Sequence, residues 1–428
     1  MRKTEISALI LLLCGCLLLT AGCGNEPVSS DPDSSVATTT SAVSTTTADT
    51  VLTTTTQTTT ATPTTQTTTQ TKSAVTTTQK VTTTTTAATS TYPHVALDNP
   101  QLKYTGRTMV NVGEVWLDWS ACGVEMTVMG GTVEAQLYGV NLGEGARVYM
   151  GVYIDGVRTK TFYLENGLNW YTLAENLPKN TVSVIQLVRL TEASMGKASL
   201  FDLKVTGKLV GRPANKPHKI EWIGDSLTCG YGVLEEGSAS FKASTEDVTK
   251  TFAWLCSKSL QADISVVGAS GYSIAYNYDG GKEYRMPEVF PYYNSISRDV
   301  YTPWDYSLFQ PDLVVINLGT NDASGWHGSE EGAVLIREKT KAFLTALRAA
   351  YPKATLCWMY GFCTNEYGDV LRQTVEQFAA TDGNAAYLTV PLQNVPKNGI
   401  GADGHPNVLS NKDCADNLTP KLKKLMNW

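Results

Sequence analysis

The chain has 428 residues, enough for two or three domains, with 34 Lys and Arg against 40 Asp and Glu for a formal charge of −6. That balance excludes a strongly basic surface, so nucleic acid is not an expected partner. Four histidines, no HExxH and no CxxC pair leave little for a zinc site, and neither metal nor organic cofactor is expected.

Residues 1–22 read as a secretory signal. Met1-Arg2-Lys3 is a basic start, Ile6 to Thr20 is apolar, and Ala21-Gly22-Cys23 has the small residues of a bacterial lipoprotein cleavage site. On this reading Cys23 is lipidated, and the expected location is the bacterial cell surface; plain secretion and a retained anchor are the alternatives. Residues 23–91 come next as a linker. From Ser29 to Thr91 roughly half the residues are Thr, with almost no charge or aromatic side chain, a composition that cannot build a core. As a coil such a tether spans on the order of 40–50 Å, and stretched it reaches about 200 Å.

Residues 92–212 carry short alternating runs broken by Gly and Asn, such as Val124-Glu-Met-Thr-Val-Met129 and Arg147-Val-Tyr-Met-Gly-Val-Tyr-Ile154. Such runs predict a β-sandwich, of jelly-roll type, that either binds carbohydrate or braces the next domain. From 213 to 428 strand-like and helix-like runs alternate. Strands are predicted near 220–223, 264–267, 313–316, 354–359 and 386–390, with helices near 246–260, 330–351, 369–381 and 411–426. That order implies a parallel sheet covered on both faces, with its site beyond the carboxyl ends of the strands.

The strand ends carry the chemistry. Gly224-Asp225-Ser226 follows the first, Gly268-Ala269-Ser270-Gly271 the second and Gly319-Thr320-Asn321-Asp322 the third, while Asp403-Gly404-His405-Pro406 precedes the last helix. Acyl transfer needs a hydroxyl nucleophile, a base and donors for an oxyanion. Ser226 serves as nucleophile and His405 as base. The N–H groups of Ser226 and Gly271, with the Asn321 amide, serve as donors. Ser270 is the competing nucleophile, but its neighbours read as an oxyanion loop. Gly-x-Ser-x-Gly is absent, so the α/β-hydrolase fold is not indicated.

This ordered set resembles the SGNH (GDSL-type) hydrolase superfamily, and with the preceding sandwich it looks more narrowly like carbohydrate esterase family 2. The resemblance implies a jelly roll followed by a three-layer α/β/α domain. It also implies an acetylated polysaccharide as partner and deacetylation of plant cell-wall xylan or glucomannan. Many superfamily members place an acid three residues before the histidine; here that position is Ala402, and the candidate third member is Asp403, whose other role is to shape the loop, the resemblance also allowing a Ser-His dyad whose ring is oriented by a backbone carbonyl. Relatives can carry a sugar-stacking Trp where this chain has Gly404, which leaves Trp326 as the candidate platform or as a packed loop residue. The alternatives are an esterase acting on lipid, aryl or envelope-polysaccharide esters, and a surface carbohydrate-binding protein with a vestigial hydrolase domain.

Overall fold

A computed structural model describes residues 94–237, 239–293, 302–326 and 329–428, the Trp326 side chain excepted. Cys23 and the Thr-rich segment lie outside the described residues.

The first part is antiparallel. Its strands are β1 (His94–Val95), β2 (Lys103–Thr105), β3 (Met109–Asn111), β4 (Glu114–Trp116), β5 (Gly123–Asn141), β6 (Tyr149–Ile154), β7 (Val157–Tyr163), β8 (Gly167–Arg189), β9 (Gly196–Val205) and β10 (Lys208–Leu209). They pair in the order β3-β4-β9-β5-β8-β6-β7, with β1 on β9 and with β2 and β10 on β5. Two strands are far longer than the sequence pattern suggests. The glycines at 130, 131 and 139 interrupt the alternation in β5, which nonetheless continues through them. Gly130 and Gly131 have φ of +73° and +79°, and a Cβ on Gly131 would lie 2.4 Å from the Gly207 nitrogen. No side chain fits at Gly131, and the pairing of β5 with β8 shifts register at this bulge. Val124, Met126 and Val128 before the bulge then share one apolar core with Val133, Ala135 and Leu137 after it.

The second part has five parallel strands, β11 (His218–Gly224), β12 (Ala262–Gly268), β13 (Leu313–Asn317), β14 (Thr355–Tyr360) and β15 (Ala385–Thr389), in the order β12-β11-β13-β14-β15. Its helices are α1 (Ser226–Cys229), α2 (Phe252–Ser259), α3 (Met286–Val289), α4 (Thr320–Trp326), α5 (Glu330–Ala350), α6 (Gly368–Asp382), α7 (Val395–Asn398) and α8 (Val408–Met426). Alternate side chains of β11 face opposite layers. Ile220 and Trp222 pack with Phe252 and Cys256 of α2 and Leu418 and Leu422 of α8. Ile223 belongs to the cluster holding Phe343 and Leu347 of α5 and Leu371 of α6. One predicted helix is shorter than expected, because residues 246–251 form caps and a 3₁₀ turn instead: Asp247 accepts the Thr249 N–H and Thr251 Oγ1 caps α2.

Buried charges fasten the two parts together. Arg107, in the turn after β2, donates from Nε and Nη2 to the two Glu221 carboxylate oxygens of β11, both at 3.1 Å, and Nη1 donates to Phe290 O. Both side chains are fully buried, and the guanidinium carbon lies 4.4 Å from the centre of the Phe290 ring. Lys103 reaches Asp263 at 2.7 Å, and Arg158 forks onto Asp247 at 2.5 and 3.0 Å. The described cysteines are free thiols, so no disulfide is made among the described residues.

Candidate active site

Strand register assembles the site. Gly224 at the end of β11 pairs with Gly268 of β12 on one side and Asn317 of β13 on the other. Three loops therefore leave the sheet at one level, where the strand order reverses around β11. Ser226 opens α1, and Asp225 before it caps the helix by accepting the Leu227 N–H at 3.0 Å.

The loop before α8 brings His405 to the serine. Its Nε2 lies 2.9 Å from Ser226 Oγ. Its Nδ1 lies 3.2 Å from the carbonyl oxygen of Ala402. A carbonyl only accepts, so Nδ1 carries the proton and Nε2 turns its lone pair to the serine hydroxyl. Burial lowers the His405 pKa below its ordinary value, partly offset by the Ala402 carbonyl and the Asp403 charge. A neutral imidazole hydrogen-bonded to a serine is a general base in waiting.

The Asp403 carboxylate bonds elsewhere than to the imidazole, which favours its loop-shaping role over that of third member. Its Oδ2 accepts Tyr231 Oη–H at 2.9 Å and the Phe241 N–H at 3.1 Å. The residue has a left-handed φ of 48°, which turns its side chain toward those groups while the preceding carbonyl takes the imidazole. Through Tyr231 it still supports the base. The Tyr231 ring lies 4.4 Å from His405 and stacks on Phe241 at 4.0 Å.

The loop after β12 is clamped from three sides. The Asp322 carboxylate, buried in α4, accepts the N–H groups of Ile274, Ala275 and Tyr276 at 2.7–3.1 Å. Asn321 Nδ2 donates to Tyr272 O at 2.7 Å and is directed at Asp225 Oδ2 at 3.4 Å. Glu192, from the turn after β8, accepts the Ser270 N–H at 2.6 Å. Between these clamps Gly271 sits at φ +79°, where a Cβ would come 2.8 Å from the Tyr278 ring. The N–H groups of Ser226 and Gly271 have no acceptor among the described residues. Both are available to a substrate oxygen, and the Asn321 amide, which has two N–H donors, gives one to the Tyr272 carbonyl. Burial, opposed by the Leu227 N–H, pushes the Asp225 carboxyl up to about 7. A cleft of about 490 Å³ opens from Ser270 and Gly271, between Tyr272, Asn277, Tyr278 and Tyr284.

The other candidates fall elsewhere. Ser270 Oγ is buried without a hydrogen-bond partner among the described residues. His94 contacts Asp202, and His218 stacks on Trp428 at 3.9 Å. His327 and the Trp326 side chain lie outside the described residues, and among those described no group of His, Cys, Asp or Glu is arranged to hold a metal. Glu192, Tyr231 and the Asp322 clamp were not read from the sequence. Asp322 stands next to Asn321 and could have been suspected; nothing local marks Glu192 or Tyr231.

Both parts of the chain match known families. Residues 104–213 match the family described as carbohydrate esterase 2 N-terminal, and residues 222–409 the GDSL-like lipase/acylhydrolase family. The chain resembles carbohydrate esterase family 2 in both parts, an esterase 2 N-terminal region followed by a GDSL-like lipase/acylhydrolase region. It is 28% identical over 345 residues to the cellulase/esterase CelE of Acetivibrio thermocellus, covering 77% of this chain and 40% of that protein. To the acetylxylan esterase/glucomannan deacetylase of Cellvibrio japonicus it is 24% identical, covering 78% of this chain and 91% of the relative. The solved family two carbohydrate esterase from Clostridium thermocellum, in complex with cellohexaose, superposes with a TM-score of 0.70 at 25% identity, over 76% of this chain and 99% of that one. An acetyl xylan esterase from Butyrivibrio proteoclasticus shares the fold with a TM-score of 0.73 at 20% identity, over 79% and 98% of the two chains.

Proposed function

We propose that this protein is a serine esterase that removes O-acetyl groups from plant cell-wall polysaccharides such as xylan and glucomannan. The observation that carries the proposal is the 2.9 Å contact between Ser226 Oγ and His405 Nε2, with His405 held by a carbonyl and two N–H groups left for an oxyanion. Ser226 Oγ attacks the acetyl carbonyl carbon while its proton passes to His405 Nε2. The carbonyl oxygen becomes an oxyanion facing the N–H groups of Ser226 and Gly271. Collapse breaks the bond to the sugar oxygen, which leaves with the proton from His405, and an acetyl-serine remains. Water, deprotonated by His405, then attacks that ester and acetate departs. The cleft beside Gly271, lined with tyrosines and polar side chains, suits a sugar better than a long acyl chain. The names of the relatives support the same substrate class.

Ser226→Ala should abolish acetate release from acetylated xylan and glucomannan with the fold retained by circular dichroism. Retained activity in that variant, or faster cleavage of long acyl esters by the wild type, would sink the reading. We further propose that Cys23 is lipidated and that residues 23–91 tether the enzyme at the bacterial surface. The full chain should then fractionate with membranes and Cys23→Ala should not.

A further inference from the structure

We propose that Glu192, carried by the β-sandwich, is a positioning residue for the oxyanion loop of the hydrolase part. The proposal rests on the esterase reading and adds that the catalytic apparatus draws on both parts of the chain.

The loop from Ala269 to Tyr276 is held at its far end by Asp322 and in its middle by Asn321, both from α4. Its near end, beside the serine, is held from the other part of the molecule, where Glu192 Oε2 accepts the Ser270 N–H at 2.6 Å. The next N–H along the chain is that of Gly271, the candidate oxyanion donor. Two successive amides thus have separate assignments, one bound to a carboxylate and one with no acceptor among the described residues. Fixing the first restrains the direction of the second, because a single residue's backbone torsions separate the two peptide planes.

Glu192 is itself rigidly mounted. It is 1% exposed. Its N–H donates to Glu246 Oε1 at 2.7 Å, and its carbonyl accepts Arg189 Nη2 at 2.6 Å. Arg189 is fully buried and also donates to the carbonyls of Leu117, Thr191 and Gly196. The Leu190 carbonyl accepts the Val248 N–H at 3.0 Å, which docks this corner on the hydrolase part. Adhesion alone does not require a carboxylate here. Lys103–Asp263, Arg107–Glu221 and Arg158–Asp247 already join the parts without touching the loop. A carboxylate also carries a desolvation penalty when buried, and its hydrogen bond to an amide is about twice as strong as a neutral one. Strong, directional restraint of one amide is what a preorganised oxyanion hole needs.

The test uses the full chain as Glu192→Ala and Glu192→Gln, with acetate-release kinetics and amide hydrogen exchange of the 269–273 segment read by mass spectrometry. Glu192→Ala should lower kcat about 10–100-fold, with KM changed by less than about threefold. Exchange should accelerate in 269–273 and not across the parallel sheet. Glu192→Gln keeps an acceptor oxygen and should recover most of both, which also serves if the Ala variant does not fold. Unchanged kcat and exchange in Glu192→Ala would overturn the proposal. So would a change in KM alone, or a Gln variant as impaired as the Ala variant. A wild type that releases no acetate would instead count against the esterase reading, and the exchange measurement would still decide whether Glu192 holds the loop.

Discussion

At the scale of residues, the base is oriented by a backbone carbonyl, and this has measurable consequences. Burial holds the imidazolium at a disadvantage, so the His405 pKa is lowered and the neutral, catalytically competent form persists below the ordinary pKa of 6.5. The acid limb of kcat/KM should therefore have its midpoint under about 6.5. A carboxylate bonded to Nδ1 would stabilise the imidazolium and move that limb upward. Asp403→Asn removes a charge that favours the imidazolium, so it should move the limb lower still, and it should lower kcat only about tenfold, through looser support of Tyr231. An orienting acid in a triad would cost nearer 10⁴-fold. A loss of that larger size would restore Asp403 as a direct partner of the histidine. Ser226 and His405 were legible in the chain because each lies within a short motif at an element boundary. The ligand of His405 was not, since choosing between the Asp403 carboxylate and the Ala402 carbonyl depends on a φ of 48° that no residue type announces.

At the scale of elements, the loop after β12 shows how backbone conformation and packing are joined. Gly271 has a positive φ and faces the Tyr278 ring at a distance that leaves no space for a methyl group. Gly271→Ala should lower kcat and destabilise the protein, the left-handed backbone alone accounting for about 1–2 kcal/mol. Adding Tyr278→Ala should relieve the steric share and leave the backbone share. Urea titrations of the single and double variants separate the two, and equal stability of both would mean that the ring yields freely. The elements themselves were partly legible. The strands of the parallel sheet were anticipated, the inner ones because a strand buried on both faces is a continuous apolar run, as in Leu313–Asn317. The second half of β5 and the first half of β8 were missed. Their glycines and exposed residues resemble loop sequence, and only pairing partners reveal them as strands.

At the scale of the whole molecule, the sandwich and the hydrolase part share buried charges. Arg107→Ala would remove the ion-pair partner of the buried Glu221 in β11, a class of change that destabilises by about 3–5 kcal/mol. Urea unfolding of Arg107→Ala should show that loss, with Glu221→Leu added on top recovering part of it. If the double variant were no more stable than the single one, a Glu221 without its ion-pair partner would not be the cause. The sandwich is then more than an appended brace, since Arg107 enters the hydrolase core and Glu192 reaches the loop beside the nucleophile.

What the sequence determined by itself was local: apolar periodicity set the order of strands and helices, and the strand-end motifs singled out Ser226, His405 and Gly271, which the structure brings to one end of the sheet. Those features depend on residues close together in the chain, so a linear reading reaches them. The tertiary structure alone decided which carbonyl orients His405, that Asn321 donates to the Tyr272 carbonyl, and that Glu192 grips Ser270 from 78 positions away. A hydrogen bond depends on tenths of an ångström and on direction. Such geometry exists only after the strands have taken their register and the two parts have docked.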